Sequence, residues 1–170
     1  VDTSAAGANV LIADGTINNV TGSYVARIYD PDSVVLSEDG TTVEDSDKLH
    51  KYDGAFYSKM SMNVDGGEAG TGVLNITADN EGLDTELHLT INGGAVTAAA
   101  CAESGDAGID ATAGITINGG TVMASGNMYD RIDGGDQTYV VFSFASRQTG
   151  GETYTLQDAD GETVGQSRPR

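Results

Sequence analysis

There is no tryptophan in this 170-residue chain, one cysteine, two prolines, and only 8 lysines and arginines against 26 aspartates and glutamates. Each shortage excludes something. Cys101 has no partner for an internal disulfide, and within the apolar run Ala95–Ala102 it reads as a small core residue. A net charge of −18 repels phosphate backbones and anionic bilayers, so nucleic acid and membrane surfaces are not expected partners. No apolar run reaches the roughly 18 residues of a membrane helix, so no membrane insertion is expected. No basic stretch leading into an apolar one opens the chain, so no leader peptide is read in it. His50 and His88 lie far apart with no serine or cysteine nucleophile motif between them, and no glycine-rich phosphate loop opens a helix. No catalytic constellation is found, and an enzyme is not expected.

What is abundant is glycine, 24 residues, which with so little proline suggests tight turns between short strands. The strongest signal is repetition. Asn80–Gly94 superposes on Asp106–Gly120 with an offset of 26 residues: Gly82 on Gly108, Asp84 on Asp110, and Thr90–Gly94 on Thr116–Gly120. A degenerate copy ends at Gly66-Gly67, 27 residues before Gly93-Gly94. Each unit is too short for a crossover helix, and no 3.6-residue stripe occurs in it. Alternation does occur. Leu89 and Ile91 point one way with His88, Thr90 and Asn92 opposite, and Ile115 and Ile117 repeat this against Thr116 and Asn118. After Asn-Gly-Gly a second strand is expected over 95–100 and 121–125, and Gly82-Leu-Asp and Gly108-Ile-Asp are read as another corner. The pattern predicts an all-β parallel β-helix with 26–27-residue coils stacked about 4.8 Å apart.

Residues 1–170 are read as one such domain. Its N-terminal coil and cap cover 1–53, with strands over 9–12, 23–28 and 33–36. Repeat coils fill 54–133. An antiparallel C-terminal cap over 134–165 pairs Thr138–Phe144 with Thr153–Leu156, and 166–170 is a loose tail.

Stacking places Asn80 against Asp106 and Asp84 against Asp110, with Asp130 and Asp133 as a continuation. Like charges about 5 Å apart repel unless water or a cation intervenes. Two readings stay open: the carboxylates cap turns, or they hold Ca²⁺, which takes hard oxygen ligands. Asn92 and Asn118 form a second ladder, read as turn residues, and Asp158-Ala-Asp-Gly161 reads as a hairpin turn.

The phrase Gly72–Thr85, with Leu89–Gly94, Gly108–Asp110 and Ile115–Val122, resembles a clostridial family of extracellular carbohydrate-binding β-helix proteins, cellulose- and polygalacturonate-binding and related in fold to pectate lyases. Lys48–Lys59 and Asn127–Ile132 are similar to it as well, so the likeness spans about residues 9–161. It implies a right-handed parallel β-helix with Ca²⁺ bound along it, a polysaccharide partner, no turnover and a secreted or cell-surface bacterial location. It favours the Ca²⁺ reading of the aspartates. Few repeats are clear, so the chain reads as a shortened member. For sugar contact the candidates are Tyr52, Tyr57 and Tyr129 as stacking platforms, with Arg131 beside them. Tyr57 falls in register with Asp84, which allows an outward position; the competing and stronger reading is that these tyrosines plug the coil ends. Lys48, Lys51 and Lys59 are the local basic patch. The alternative is a self-assembling structural or adhesive surface protein pairing through solenoid ends or edges. A lyase using Arg131 as base ranks below both.

Overall fold

Alternating apolar residues make strands, and their inward members need a common interior; both follow through the chain. The computed structural model describes residues 1, 3, 8–20, 26–28, 49–51, 54–78, 80–102 and 105–168. Among them are sixteen strands and no helix. In chain order these are β1 (Val10–Ile12), β2 (Thr16–Val20), β3 (Ala26–Ile28), β4 (Leu49–Lys51), β5 (Gly54–Ser58), β6 (Met62–Val64), β7 (Val73–Thr77), β8 (Glu81–Thr85), β9 (His88–Ile91), β10 (Ala95–Ala99), β11 (Ile109–Ala111), β12 (Gly114–Ile117), β13 (Thr121–Ser125), β14 (Ile132–Gly134), β15 (Tyr154–Gln157) and β16 (Thr163–Ser167).

Three parallel sheets of stacked strands form the body, ordered β1-β6-β9-β12-β14, β13-β10-β7-β2 and β11-β8-β5. Successive repeats supply one strand to each. Register therefore places like residues in columns: Met62, Leu89 and Ile115 in one, Leu74, Val96 and Val122 in another, Phe56, Leu83 and Ile109 in the third. Leu83, Leu89, Ile91 and Ile115 are wholly buried and belong to one core cluster drawn from all three sheets. Burying each contributes roughly 1.5–3 kcal/mol against exposure. Ile17, Val122 and Ile132 are only partly buried, because each sits in the outermost strand of its column. Turn lengths vary between repeats without disturbing register. The turn at Asp65-Gly66-Gly67 runs on to Val73, whereas Asn92-Gly93-Gly94 leads directly into Ala95, yet Val73 and Ala95 are partners.

The strands expected over 9–12, 95–100 and 121–125 form within a residue of those bounds. Other expectations are corrected. Gly82-Leu-Asp is not a corner but lies within β8 of the third sheet, whereas Gly108 is a bend just before β11, to which Ile109 and Asp110 belong. Both glycines also serve closeness. A Cβ on Gly82 would lie 2.5 Å from the Gly108 carbonyl oxygen, and one on Gly108 2.3 Å from that of Ala98. Tyr154–Gln157 pairs antiparallel with Thr163–Ser167, not with Thr138–Phe144, which forms no strand. Asp158 explains the choice: its Oδ1 accepts from the N–H groups of Asp160 and Glu162, closing the turn that Gly161 completes at φ +85°. The tail is less loose than expected, since β16 runs to Ser167, which is buried. Cys101 is half-buried after β10, outside the core cluster. A strand not anticipated, β2, starts the second sheet, and β3 pairs antiparallel with β4. The expected strand over 33–36 lies outside the described residues.

The Asn-Gly-Gly turns are joined by their side chains. Asn118 Nδ2 donates to Asn92 Oδ1 at 2.9 Å, and Asn92 Nδ2 donates to Asp65 Oδ1 at 2.8 Å. Asn92 alone both gives and receives in this row, so Asn92→Ala removes two bonds. These are exposed, so the expected loss is about 1–2 kcal/mol, or about 2–6 °C in a thermal melt. An unchanged melt would mean that the row adds nothing to the stacking.

Candidate functional site

The third sheet carries the acidic column. Tyr57, Asp84 and Asp110 occupy one register position on β5, β8 and β11, as the repeat spacing predicts. Glu81 opens β8, and Asp106 precedes β11. Burial pushes the half-buried Glu81 carboxyl up to about 9, against a backbone hydrogen bond that lowers it, and the charges of Asp84, Asp106 and Asp110 push the same way as burial. Asp110 is raised too, first by burial, then by Asp130 and Asp106. Five carboxylates thus feel one another along this edge. Asn80 is buried, and its Nδ2 donates to Glu81 Oε2 at 2.6 Å.

Asp130 and Asp133 have separate tasks. Asp130 Oδ2 accepts from the N–H of Ala111 at 2.9 Å, covering the outer edge of β11 where a further strand would bond. Asp133 does not extend the Asp84–Asp110 column. It lies on β14, which pairs with β12 in a different sheet, and it sits where the register slips between Ile115 and Thr116. Its Oδ2 accepts from Ile115 N at 3.3 Å, and its Oδ1 is ion-paired with Arg131 Nη2.

The expected sugar platforms divide. Tyr57 keeps its register but is 3 % exposed, so of its two readings the outward platform is corrected and the inward one agrees. Its ring is covered, and its hydroxyl donates to Glu86 Oε1 at 2.9 Å. Tyr52 and Lys48 lie outside the described residues. Lys59 is paired with Glu86 at 3.9 Å, so it is not an isolated cation. His88 is exposed, as expected. Tyr129 is 48 % exposed, and its hydroxyl accepts from Ile132 N at 3.1 Å. Tyr139, also about half exposed, is hydrogen-bonded to Tyr129, and that bond first of all raises its phenol above the ordinary range. Arg131 and Asp133 are near enough to act on the same phenol. The structure therefore groups two open aromatic rings with an ion pair, and Asp130, adjacent in chain, links the group to Asp110.

Sequence reasoning passed over two members. Glu81 has Ala107 as its repeat counterpart, so matching the repeats diluted it; an acid beside a strand glycine that faces a neighbouring backbone was the available signal. Tyr139 was absorbed into an expected strand, and nothing in the sequence pairs it with Tyr129.

All donors in the column are hard oxygens, which suits Ca²⁺ chemically. Among the described residues, no three His, Cys, Asp or Glu side chains converge as a ready metal cage. A cation here would bridge neighbouring carboxylates of the column with water completing its shell. No protein family, curated protein or solved structure matches the chain.

Proposed function

We propose that this chain is a non-catalytic carbohydrate-binding module on a right-handed parallel β-helix, secreted or surface-displayed by a bacterium, taking a plant-type or acidic polysaccharide with Ca²⁺. The observation that carries the reading is the grouping of Tyr129, Tyr139 and the Arg131–Asp133 pair at the end of the acidic column. Exposed rings give a sugar its apolar platform, and flanking charged groups hydrogen-bond its hydroxyls. A molecule at −18 meets an acidic glycan only through a bridging cation or a local cation. Asp84, Asp106 and Asp110, with Asp130 beside them, would hold the first, and Arg131 supplies the second.

The test has two arms. Thermal melts in EDTA, then with Ca²⁺ or Mg²⁺ at matched ionic strength, should show a rise specific to Ca²⁺, because a ligand of the folded state raises its midpoint. Retention on insoluble cellulose and on polygalacturonate gel should fall at least about tenfold in Tyr129→Ala, the loss of roughly 1.4 kcal/mol or more. No Ca²⁺ shift would assign the aspartates to strand capping. Retention unchanged in Tyr129→Ala would remove the aromatic group from the site.

A further inference from the structure

Among the described residues, most of the large apolar side chains left in water lie beyond β13: Met128, Tyr129, Leu156, Val164 and, above all, the run Tyr139–Phe144. The run is held at both ends. Gln137 donates its N–H to Ile117 O at 3.4 Å, and Arg147 Nη2 donates to Ala102 O at 2.8 Å. Phe144 packs on Tyr154 with ring centroids 5.4 Å apart. Between these anchors Thr138–Phe144 passes without a turn or bend and makes no backbone hydrogen bond to any described residue. Exposure alternates along it: Tyr139 55 %, Val140 71 %, Val141 47 %, Phe142 74 %. Val140 and Phe142 thus stand outward, while Tyr139 and Val141 lean toward the body.

Thr-Tyr-Val-Val-Phe-Ser-Phe is a strand sequence with no charge, proline or glycine, the composition that pairs readily with another strand. Charge narrows the partner. Two copies at −18 repel almost everywhere, but Gln137–Gly151 carries no carboxylate and one arginine. Copies can approach here without opposing like charges. We infer that Thr138–Phe144 pairs antiparallel with the same segment of a second copy, about a two-fold axis through Val141. Val140 then faces Phe142 of the partner subunit, and Phe142 faces the partner subunit's Val140, closing one outward apolar cluster. The contact is isologous, so it stops at two chains and builds no filament. Because the segment is anchored at both ends beforehand, pairing orders little additional chain.

Sedimentation equilibrium over a concentration series, at low and moderate salt, tests this. The weight-average mass should climb from 17.4 kDa toward twice that, more readily as salt screens the repulsion. Phe142→Asp and Val140→Asp should each hold the mass at one chain while leaving circular dichroism unchanged, and Leu11→Asp, on the exposed face of β1 at the far end of the stack, should leave the doubling intact. Amides of 139–143 should exchange more slowly at high concentration. A wild type that stays at one chain, doubling that survives Phe142→Asp, loss of doubling in Leu11→Asp, or growth beyond two chains would each overturn the pairing.

Discussion

Replacing Glu81 by glutamine is expected to stabilise the protein at neutral pH and to weaken its response to pH. In the folded chain burial holds this carboxyl protonated up to about 9, whereas unfolded it ionises near the ordinary 4.5. Between those values the unfolded state binds fewer protons, so stability falls as pH rises. The contribution is fully present below about 4.5 and is lost as the medium moves toward 9. A fully buried group would give about 1.4 kcal/mol per pH unit. Glu81 is half-buried, and water screens it, so a loss on the order of 1–3 kcal/mol from about pH 5 to about pH 8 is expected. Asp110 adds to the same slope. Melts should therefore show a midpoint higher at about pH 5 than at about pH 8. Glu81→Gln, which carries no charge to desolvate, should gain about 3–8 °C at the upper end and little at the lower. A midpoint that rises with pH across this window, or a glutamine variant no more stable at pH 8, would contradict the burial of this carboxyl.

Gly108→Ala should be among the most damaging single-methyl changes in the chain's repeats, and the damage would come from close approach alone, since its φ is not in the left-handed region. The added carbon would sit 2.3 Å from the carbonyl oxygen of Ala98 and 2.8 Å from the N and O of Ser125. All three are backbone atoms, Ala98 on β10 held between β7 and β13 and Ser125 on β13 held by β10, so no side chain can swing away. Overpacking of well-packed cores costs about 1–3 kcal/mol, and immovable backbone places this site at or above the top of that range. Urea titration should show the midpoint falling accordingly. Gly105→Ala is the control: nothing lies within 4 Å of its Cβ, its φ is not in the left-handed region, and its stability should stay within about 0.5 kcal/mol of wild type. Equal losses in both would refute the close-approach account.

The stacked parallel sheets were legible because the repeat states its own alignment. Once Thr90–Gly94 is laid on Thr116–Gly120, the partners Leu89 with Ile115 and Asp84 with Asp110 follow, and both pairs are found. Gly82 misled because glycine marks either a turn or a tight approach, and spacing alone does not separate the two. Thr138–Phe144 misled for a related reason. Its composition is that of a strand, but strand formation needs a partner edge, and within one chain Tyr154–Gln157 is already taken by Thr163–Ser167. The Asp84–Asp110 column came from spacing, whereas the Tyr129–Tyr139 contact depends on how the chain doubles back after β14, which no local pattern encodes.

Because neighbouring strands of the three parallel sheets bond along the stacking direction, the molecule has a mechanical grain. A load along that direction peels strands apart in sequence, tier by tier, and each tier carries the whole force. A load across it shares the force among several bonds of a strand pair at once. The bulged junction between β12 and β14, whose register slips by one residue, is the first to part under axial tension. Attachment near β14 would leave the chain compliant, and attachment along β9 and β10 would leave it stiff.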